Sequence, residues 1–188
     1  MTRIQTQGIH HITLNGADRQ TSIDFWEGTL GMPLIFEQPN LDAPEINHLY
    51  FDPGDGRLIT VFTQESRRPK GPVRDQTGSV HHLAFTVSLA TWTVAQTRLT
   101  ERGVAHSGPV DRGFMWSLYF VEPCGHRIEL ACYKFNPPEG FSHSDVLRRA
   151  HAGRVARGAR NIEDIDIADA IGTLVSDRGI SLSQSGTG

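Results

Sequence analysis

The chain contains an internal repeat, and this repeat constrains the fold more than any other feature of the sequence. Residues 8–14 (GIHHITL) resemble residues 79–85 (SVHHLAF). The tripeptide at residues 49–51 (LYF) recurs 69 positions later at residues 118–120. A chain built from two similar segments of this length is expected to form the same supersecondary structure twice.

Each copy of the repeat has the pattern strand, helix, strand, strand, strand. Apolar residues at helical spacing predict helices over 18–30 and 89–102, which end before Gly31 and Gly103. Strands are predicted at 8–14, 32–37, 46–52 and 57–63, and again at 79–87, 104–109, 114–122 and 126–134. The expected fold is therefore of the α+β class, with two tandem βαβββ modules at 8–63 and 79–134 and a linker at 64–78. If both modules contribute to one curved sheet, the chain forms one cup-shaped, partly open mixed β-barrel.

The C-terminal part of the chain has a different pattern. Residues 145–160 are basic and helix-like, and residues 162–174 are acidic and helix-like. A basic segment followed at once by an acidic one favours a helical pair that packs on itself over a nucleic-acid-binding surface. We expect a helical extension at 145–178 and disorder at 181–188.

Composition and charge exclude several classes of function. The 188-residue chain has a formal net charge of −3, which predicts no general attraction to nucleic acid. It contains no apolar run long enough to span a membrane, and its first residues do not form a signal peptide. Cys124 and Cys132 are the only cysteines, and we expect both to be reduced thiols. A cytoplasmic location is the expectation.

Strand alternation decides which histidines can share a site, because successive side chains point to opposite faces of a sheet. In each module the apolar residues of the first strand must face the helix. This places His11 and His82 on the other face of their strands, and the same reasoning places Glu129 there. We predict that His11, His82 and Glu129 bind one divalent metal ion.

Two histidines and a carboxylate on one face are typical of non-haem Fe(II) sites, which keep coordination positions open. The alternative is that each histidine is an ordinary surface residue of a strand. Two histidines at equivalent repeat positions favour the metal site, as does a glutamate among apolar residues, which is costly to bury unpaired. Thr60 occupies the position equivalent to Glu129, so the site is predicted to have three protein ligands.

These residues resemble the vicinal oxygen chelate superfamily, which includes glyoxalases, bleomycin resistance proteins and dioxygenases. The resemblance covers about residues 8–134 and is strongest to extradiol ring-cleaving dioxygenases of the hydroquinone dioxygenase branch. It rests on Tyr119 ten residues before Glu129, on Arg112 seventeen residues before it, and on the segments HHIT at 10–13 and HLYF at 48–51.

The resemblance implies a non-haem Fe(II)-dependent enzyme that cleaves a catechol or hydroquinone-like ring with O2, with Mn(II) as an alternative metal. It implies catalytic roles for a set of five residues. They are Tyr119, His81, His10, Arg112 and Thr13. Histidine suits acid–base transfer with a phenol, while for His10 and His81 a purely orienting role at the metal ligands is an equally open interpretation. Enzymes of this branch usually have about twice this length, so a homo-oligomer is expected.

Three alternatives share the fold. A glyoxalase-like isomerase with Zn or Ni usually needs a fourth protein ligand, where this chain has Thr60. A thiol transferase that opens an epoxide uses two histidines and a glutamate and fits the ligands equally well. A non-enzymatic small-molecule-binding member would typically lack the three ligands.

Overall fold

The computed structural model describes residues 4–72 and 76–184, with side chains up to residue 179. The described residues form eight strands and four helices, and the strands and the first two helices follow one another in the order that the repeat predicts. They are β1 (His11–Asn15), α1 (Arg19–Trp26), β2 (Leu34–Asn40), β3 (Ala43–Phe51), β4 (Leu58–Thr63), β5 (Leu83–Thr86), α2 (Leu89–Glu101), β6 (His106–Asp111), β7 (Met115–Val121), β8 (Arg127–Tyr133), α3 (His143–Ala156) and α4 (Asp164–Gln184).

The first module forms a four-stranded mixed sheet with the order β1-β4-β3-β2. β1 runs parallel to β4, and β3 is antiparallel to both of its neighbours. The helix α1 connects β1 to the rest of the sheet and packs on β3 and β4. A parallel β1–β4 pair cannot be joined by a tight turn, so the chain must cross over between them.

The second module repeats this arrangement. Its sheet has the order β5-β8-β7-β6, which is the first order with every strand number raised by four. The prediction of two tandem βαβββ modules followed by C-terminal helices is therefore confirmed. Among the strands that the structure describes, β1 and β2 are the edges of the first sheet and β5 and β6 those of the second, so neither sheet closes into a barrel by itself.

The structure differs from the predicted boundaries at the start of the second module. The strand predicted from residue 79 begins at Leu83, so His82 lies just before β5. A turn occupies the preceding residues: the backbone N–H of Ser79 donates to the carbonyl of Gln76, and Gly78 has a φ of +92°. This left-handed conformation, which favours glycine, ends the extended chain there.

The first helix is also shorter than predicted. α1 ends at Trp26, and a turn follows in which the backbone N–H of Gly31 donates to the carbonyl of Glu27. Gly28 and Thr29 are poor helix formers, and this explains the early end of the helix.

Contacts divide the chain into two compact units. The first comprises Met1–Ala84, Thr97–His106 and Tyr119–Glu129, and the second comprises Phe85–Gln96, Ser107–Leu118 and Leu130–Gly188. Both units therefore take residues from the second module. The predicted metal ligands all belong to the first unit.

The core of the first unit lies between α1 and the first sheet. Trp26, Leu49, Phe51 and Val61 are almost completely buried there. The rings of Trp26 and Phe51 lie 6.4 Å apart. Leu49 and Val61 are directly opposite in the β3–β4 register, so they share the face that packs on the helix.

In the second unit, α3 and α4 pack on each other through a separate apolar cluster. The fully or largely buried members of the cluster are Val146, Ala150, Ile167, Ala170 and Leu174.

Polar contacts fix the ends of this helical pair. Ser142 and Asp145 form a capping box at the start of α3. Arg157 donates to both carboxylate oxygens of Asp166 at 3.0 and 2.8 Å.

The helix α4 continues further than the predicted extension. It reaches Gln184, so residues 181–184 are helical where the sequence predicts disorder, because an established helix gains one hydrogen bond for each added residue. Residues 185–188 lie outside the described part. None of the described helices is long and apolar enough to cross a membrane.

The position of Leu49 gives a test of this core. Leu49→Ala removes a fully buried side chain from the central strand β3, and we expect it to lower the free energy of unfolding by about 2–5 kcal/mol. The matched control is Leu41→Ala, whose side chain is 87% exposed and whose loss should change the free energy by less than about 0.5 kcal/mol. Urea unfolding measures both values, and equal effects would contradict the described register.

Candidate metal-binding site

Two histidine pairs lie at equivalent points of the repeat. Nδ1 of His10 lies 2.8 Å from Nδ1 of His11, and Nδ1 of His81 lies 2.7 Å from Nδ1 of His82. Both pairs have rings arranged edge to face, with interplanar angles of 83° and 79°. In each pair, Nδ1 of the predicted ligand therefore contacts the neighbouring histidine. Nε2 of the predicted ligand faces away from that contact.

Glu129 provides the carboxylate of the candidate site. It lies on β8 and is only 2% exposed. Its Oε2 is 2.9 Å from Nε2 of His82. Two ligand atoms at neighbouring positions around a metal, each about 2.0–2.2 Å from the ion, are separated by about 3 Å. The donor atoms of His82 and Glu129 therefore fit two adjacent coordination positions.

A chain of hydrogen bonds connects the pair of His82 and Glu129 to Arg127. Nη1 of Arg127 lies 2.7 Å from Nε2 of His81, and a guanidinium group can only donate. A neutral His81 must then carry its proton on Nδ1 and donate it to His82. A neutral His82 carries its proton on Nε2, facing Glu129. To bind a metal through Nε2, His82 would have to release the proton from that nitrogen.

The third predicted ligand is placed differently. His11 begins β1 and is exposed, and it is paired with His10. Within residues 4–72 and 76–184, no group of three histidine, cysteine, aspartate or glutamate side chains is close enough to hold one ion. The structure thus brings His82 and Glu129 together, and the participation of His11 stays a prediction.

The position equivalent to Glu129 is occupied by a hydroxyl group in the first module. Thr60 is fully buried, and its Oγ1 donates to Oγ1 of Thr13 at 2.9 Å. Thr13 and Thr60 are directly paired between β1 and β4. Thr60 therefore fixes Thr13 on the face that also carries His11.

Tyr119 and Arg112 are two further residues that were predicted to be catalytic. Tyr119 lies on β7, with its ring 5.8 Å from the ring of His82 and almost perpendicular to it. Arg112 follows β6, is exposed, and belongs to the second unit. Its backbone N–H donates to the carbonyl of Met115. The predicted role of Arg112 stays a prediction.

A cavity of about 280 Å³ lies in the first unit. Its polar lining includes Thr13, His81, His82 and Arg127. The contact of Arg127 with His81 was not predicted from the sequence. The sequence feature that could have indicated this contact is the position of Arg127 two residues before Glu129, which places both side chains on one face of β8.

The turn between β7 and β8 also borders this cavity. Oε1 of Glu122 accepts from the ring Nδ1 of His126 at 2.5 Å and from its backbone N–H at 3.0 Å. Burial alone would raise the pKa of the Glu122 carboxyl, but these hydrogen bonds outweigh it and the pKa lies below its ordinary value. Gly125 has a φ of +98°, and a Cβ there would collide with the carbonyl oxygen of Gly71. Only glycine fits this turn.

The fold is that of a protein with two βαβββ modules. A family model described as the Glyoxalase/Bleomycin resistance protein/Dioxygenase superfamily matches residues 8–130. The chain belongs to this superfamily, and the family resemblance that the sequence motifs indicated is confirmed.

Two relatives represent different activities. One is a Bacillus subtilis (strain 168) protein provisionally named ring-cleaving dioxygenase MhqO, which is 31% identical over 67% of this chain and 40% of its own length. The other is named glutathione transferase FosA, from Serratia marcescens, and is 30% identical over 66% of this chain and 79% of its own length. The chain thus spans less than half the length of the ring-cleaving relative.

A solved structure supports the same fold. It is described, again provisionally, as a dioxygenase from Bacillus subtilis and is 30% identical to this chain. It matches with a TM-score of 0.59 over 68% of this chain and 41% of its own.

Replacement of the buried carboxylate tests the metal site. We expect Glu129→Gln to weaken Mn(II) or Fe(II) binding by at least about 10–100-fold, the loss that changes around the ligands already cause. The matched control is Glu122→Gln, a second buried carboxylate paired with a histidine, which should retain metal. Elemental analysis and competition titration measure the result. Unchanged metal content in Glu129→Gln would remove this residue from the site.

The Cys124 thiol gives a second test. Burial, together with the negative charge of Glu122, raises the pKa of Cys124 to about 11. At pH 8 the thiolate fraction is then about 0.001, against roughly a quarter for an ordinary cysteine. In a Cys132→Ala background, we expect iodoacetamide to alkylate the folded protein about a hundredfold more slowly than the urea-unfolded protein, with the rate rising as pH increases. Equal rates would show that the thiol is exposed.

Proposed function

We propose that the protein is a non-haem Fe(II)-dependent, extradiol-type ring-cleaving dioxygenase that acts on a catechol or hydroquinone-like aromatic compound. One observation supports this proposal most strongly. The buried carboxylate of Glu129 lies against Nε2 of His82, in a module whose histidine pair has a counterpart at His10 and His11. The ring-cleaving relatives agree with this activity at about 30% identity.

His82, Glu129 and His11 would hold the metal, with His11 completing the set. The bound ion would supply charge stabilisation and open positions where an aromatic diol and O2 meet. The small donor set is also compatible with Mn(II), and with Zn or Ni if the chemistry is that of an isomerase.

The neighbouring side chains are proposed to move protons and orient the ring. His81 is hydrogen-bonded to Arg127 and to His82, so its position is fixed next to the cavity. To take a proton from a phenol and return it later, the imidazole would have to exchange the contact of its Nε2 with Arg127 for one with the substrate. His10 has the same relation to His11.

The other three predicted residues would act on substrate oxygens. Tyr119 lies beside His82 and can donate a hydrogen bond through its hydroxyl group. Thr13, which is fixed by Thr60, lines the cavity. Arg112 is proposed to bind an anionic oxygen.

A second candidate function is a metal-dependent thiol transferase. It is favoured by the relative named glutathione transferase FosA, because this chain covers 79% of that protein but only 40% of the ring-cleaving relative. The two functions require different co-substrates. Ring cleavage consumes O2, whereas thiol transfer consumes a thiol and an electrophile under anaerobic conditions as well.

We also propose that the protein forms a homo-oligomer, in which a second copy would supply further protein surface around the substrate. Light scattering should then give a mass of at least twice 20.8 kDa. A mass of 20.8 kDa at micromolar concentration would contradict this proposal.

The dioxygenase proposal predicts oxygen uptake. Protein prepared without oxygen and loaded with Fe(II) should consume O2 and form a yellow product with at least one member of a panel of catechols and hydroquinones. Glu129→Ala should lose this activity, whereas the exposed-surface control His151→Ala should retain it. An oxygen electrode and absorbance spectra measure both. Turnover of glutathione with an epoxide in the absence of O2 uptake would favour the transferase instead.

A further inference from the structure

The turn between β7 and β8 contains a carboxylate–histidine pair, formed by Glu122 and His126. Glu122 is 4% exposed, whereas the side chain of His126 is 27% exposed. Oε1 of Glu122 accepts from the ring Nδ1 of His126 at 2.5 Å and from the backbone N–H of the same residue at 3.0 Å. A buried carboxylate therefore fixes one side of the imidazole, and the ring nitrogen on the other side, Nε2, takes no part in this contact.

The position of the proton on the His126 ring follows from the charge of Glu122. Burial raises the pKa of the Glu122 carboxyl, but hydrogen bonds from His126 and Cys124 outweigh it, so that the pKa lies below its ordinary value. Glu122 is therefore a carboxylate near pH 7, and a carboxylate can only accept hydrogen bonds. A neutral His126 then carries its proton on Nδ1, and Nε2 has an unprotonated lone pair.

Nε2 of His126 is available to a ligand. It has no hydrogen-bond partner among the residues that the structure describes, and it is accessible to solvent. His126 also belongs to the lining of the first-unit cavity, together with Thr13, Asn15, His81 and Arg127. The cavity volume of about 280 Å³ is close to the lower limit of about 300 Å³ for small-molecule sites, so the cavity suits a ligand with a single ring.

The rest of the lining indicates the class of this ligand. Apolar side chains form part of the wall, and they include Leu14, Val80, Leu83 and Val121. A basic nitrogen beside apolar walls suits a ring that carries an acidic hydroxyl group, which is a phenol. Arg127 adds a positive charge to the cavity, and a nearby positive charge favours the ionised form of a phenol.

His126 differs in this respect from His81, which lines the same cavity. Nε2 of His81 lies 2.7 Å from Nη1 of Arg127, and its Nδ1 lies 2.7 Å from Nδ1 of His82. Both ring nitrogens of His81 are thus engaged, and His81 can accept a substrate proton only after one contact breaks. His126 requires no such exchange, so it is better suited to accept the first proton.

We propose that His126 is the base that accepts the proton of a phenolic substrate in this cavity, and that Glu122 is the residue that positions it. The O–H bond of the phenol breaks, a bond between its proton and Nε2 forms, and the oxygen keeps the electron pair as a phenolate. The negative charge of Glu122 then faces the imidazolium, as the aspartate does in a Ser-His-Asp triad. A role in ring cleavage rests on the proposed dioxygenase function, whereas proton transfer to His126 does not.

The test uses 4-nitrophenol, because its phenolate absorbs visible light and the neutral phenol does not. The compound is titrated into the full chain after EDTA treatment, so that no metal ion can ionise it. The pH is set one unit below the pKa of the free compound, where about a tenth of it is ionised. An opposite charge lowers such a pKa by about one unit or more, so the wild-type protein should raise the ionised fraction of the bound compound about fivefold.

His126→Asn separates proton transfer from the structure of the turn. The asparagine amide nitrogen takes the place of Nδ1 and can still donate to Glu122, but the side chain has no basic nitrogen in the place of Nε2. We expect this variant to unfold at the same urea concentration as the wild type and to leave the bound compound no more ionised than the free one. Glu122→Gln should give an intermediate fraction, and the exposed-histidine control His151→Asn should match the wild type.

Three results would overturn the proposal. They are a wild-type protein that does not bind 4-nitrophenol, a bound compound that stays neutral, and a folded His126→Asn variant that still ionises it. If His126→Asn does not fold, the nitrogen NMR shifts of the wild-type imidazole decide at pH 8. A proton on Nδ1 of His126 would support the proposal, and a proton on Nε2 would overturn it.

Oxygen uptake by Fe(II)-loaded protein is recorded separately. We expect His126→Asn to retain iron and to lower kcat by at least about a hundredfold, which is the lower end of the contribution of general acid–base catalysis. Unchanged uptake in a variant that no longer ionises the phenol would remove His126 from the reaction. Absence of uptake in the wild-type protein, with phenol ionisation intact, would overturn the dioxygenase function alone.

Discussion

The contact between Glu129 and His82 is the interaction on which the rest of the site depends. A carboxylate that is 2% exposed loses most of its hydration, and this loss is tolerated only when a cation, a metal or hydrogen-bond donors face it. The imidazole of His82 faces it at 2.9 Å, and its orientation is fixed in turn by His81 and Arg127. The geometry of the carboxylate therefore depends on groups that extend to the cavity.

The repeat explains how such an arrangement can arise from two similar modules. Both modules place a histidine pair at the start of their first strand, with the same contact between the two Nδ1 atoms. They differ at the last strand, where Glu129 corresponds to the buried hydroxyl of Thr60. The hydroxyl forms a neutral hydrogen bond with Thr13, and so the first module needs no ion at this position. Of the two equivalent positions, only the one in the second module carries a carboxylate.

Periodicity predicted the element order, both modules and the burial of Glu129, because these features follow from local patterns of two or 3.6 residues. Strand alternation also placed Thr13 and His11 on one face. It did not predict the contact of Arg127 with His81, which joins residues 46 positions apart through the exact direction of two side chains. Whether His11 meets the other two ligands likewise depends on geometry that periodicity does not contain.

The predicted site residues are divided unevenly between the two compact units. Both histidine pairs, Tyr119 and Glu129 belong to the first unit. This unit therefore contains the three proposed metal ligands and the histidines that are proposed to transfer protons. Among the predicted site residues, only Arg112 belongs to the second unit. Metal binding can thus be tested apart from the predicted contact of Arg112 with the substrate, since the three proposed ligands lie in one compact unit.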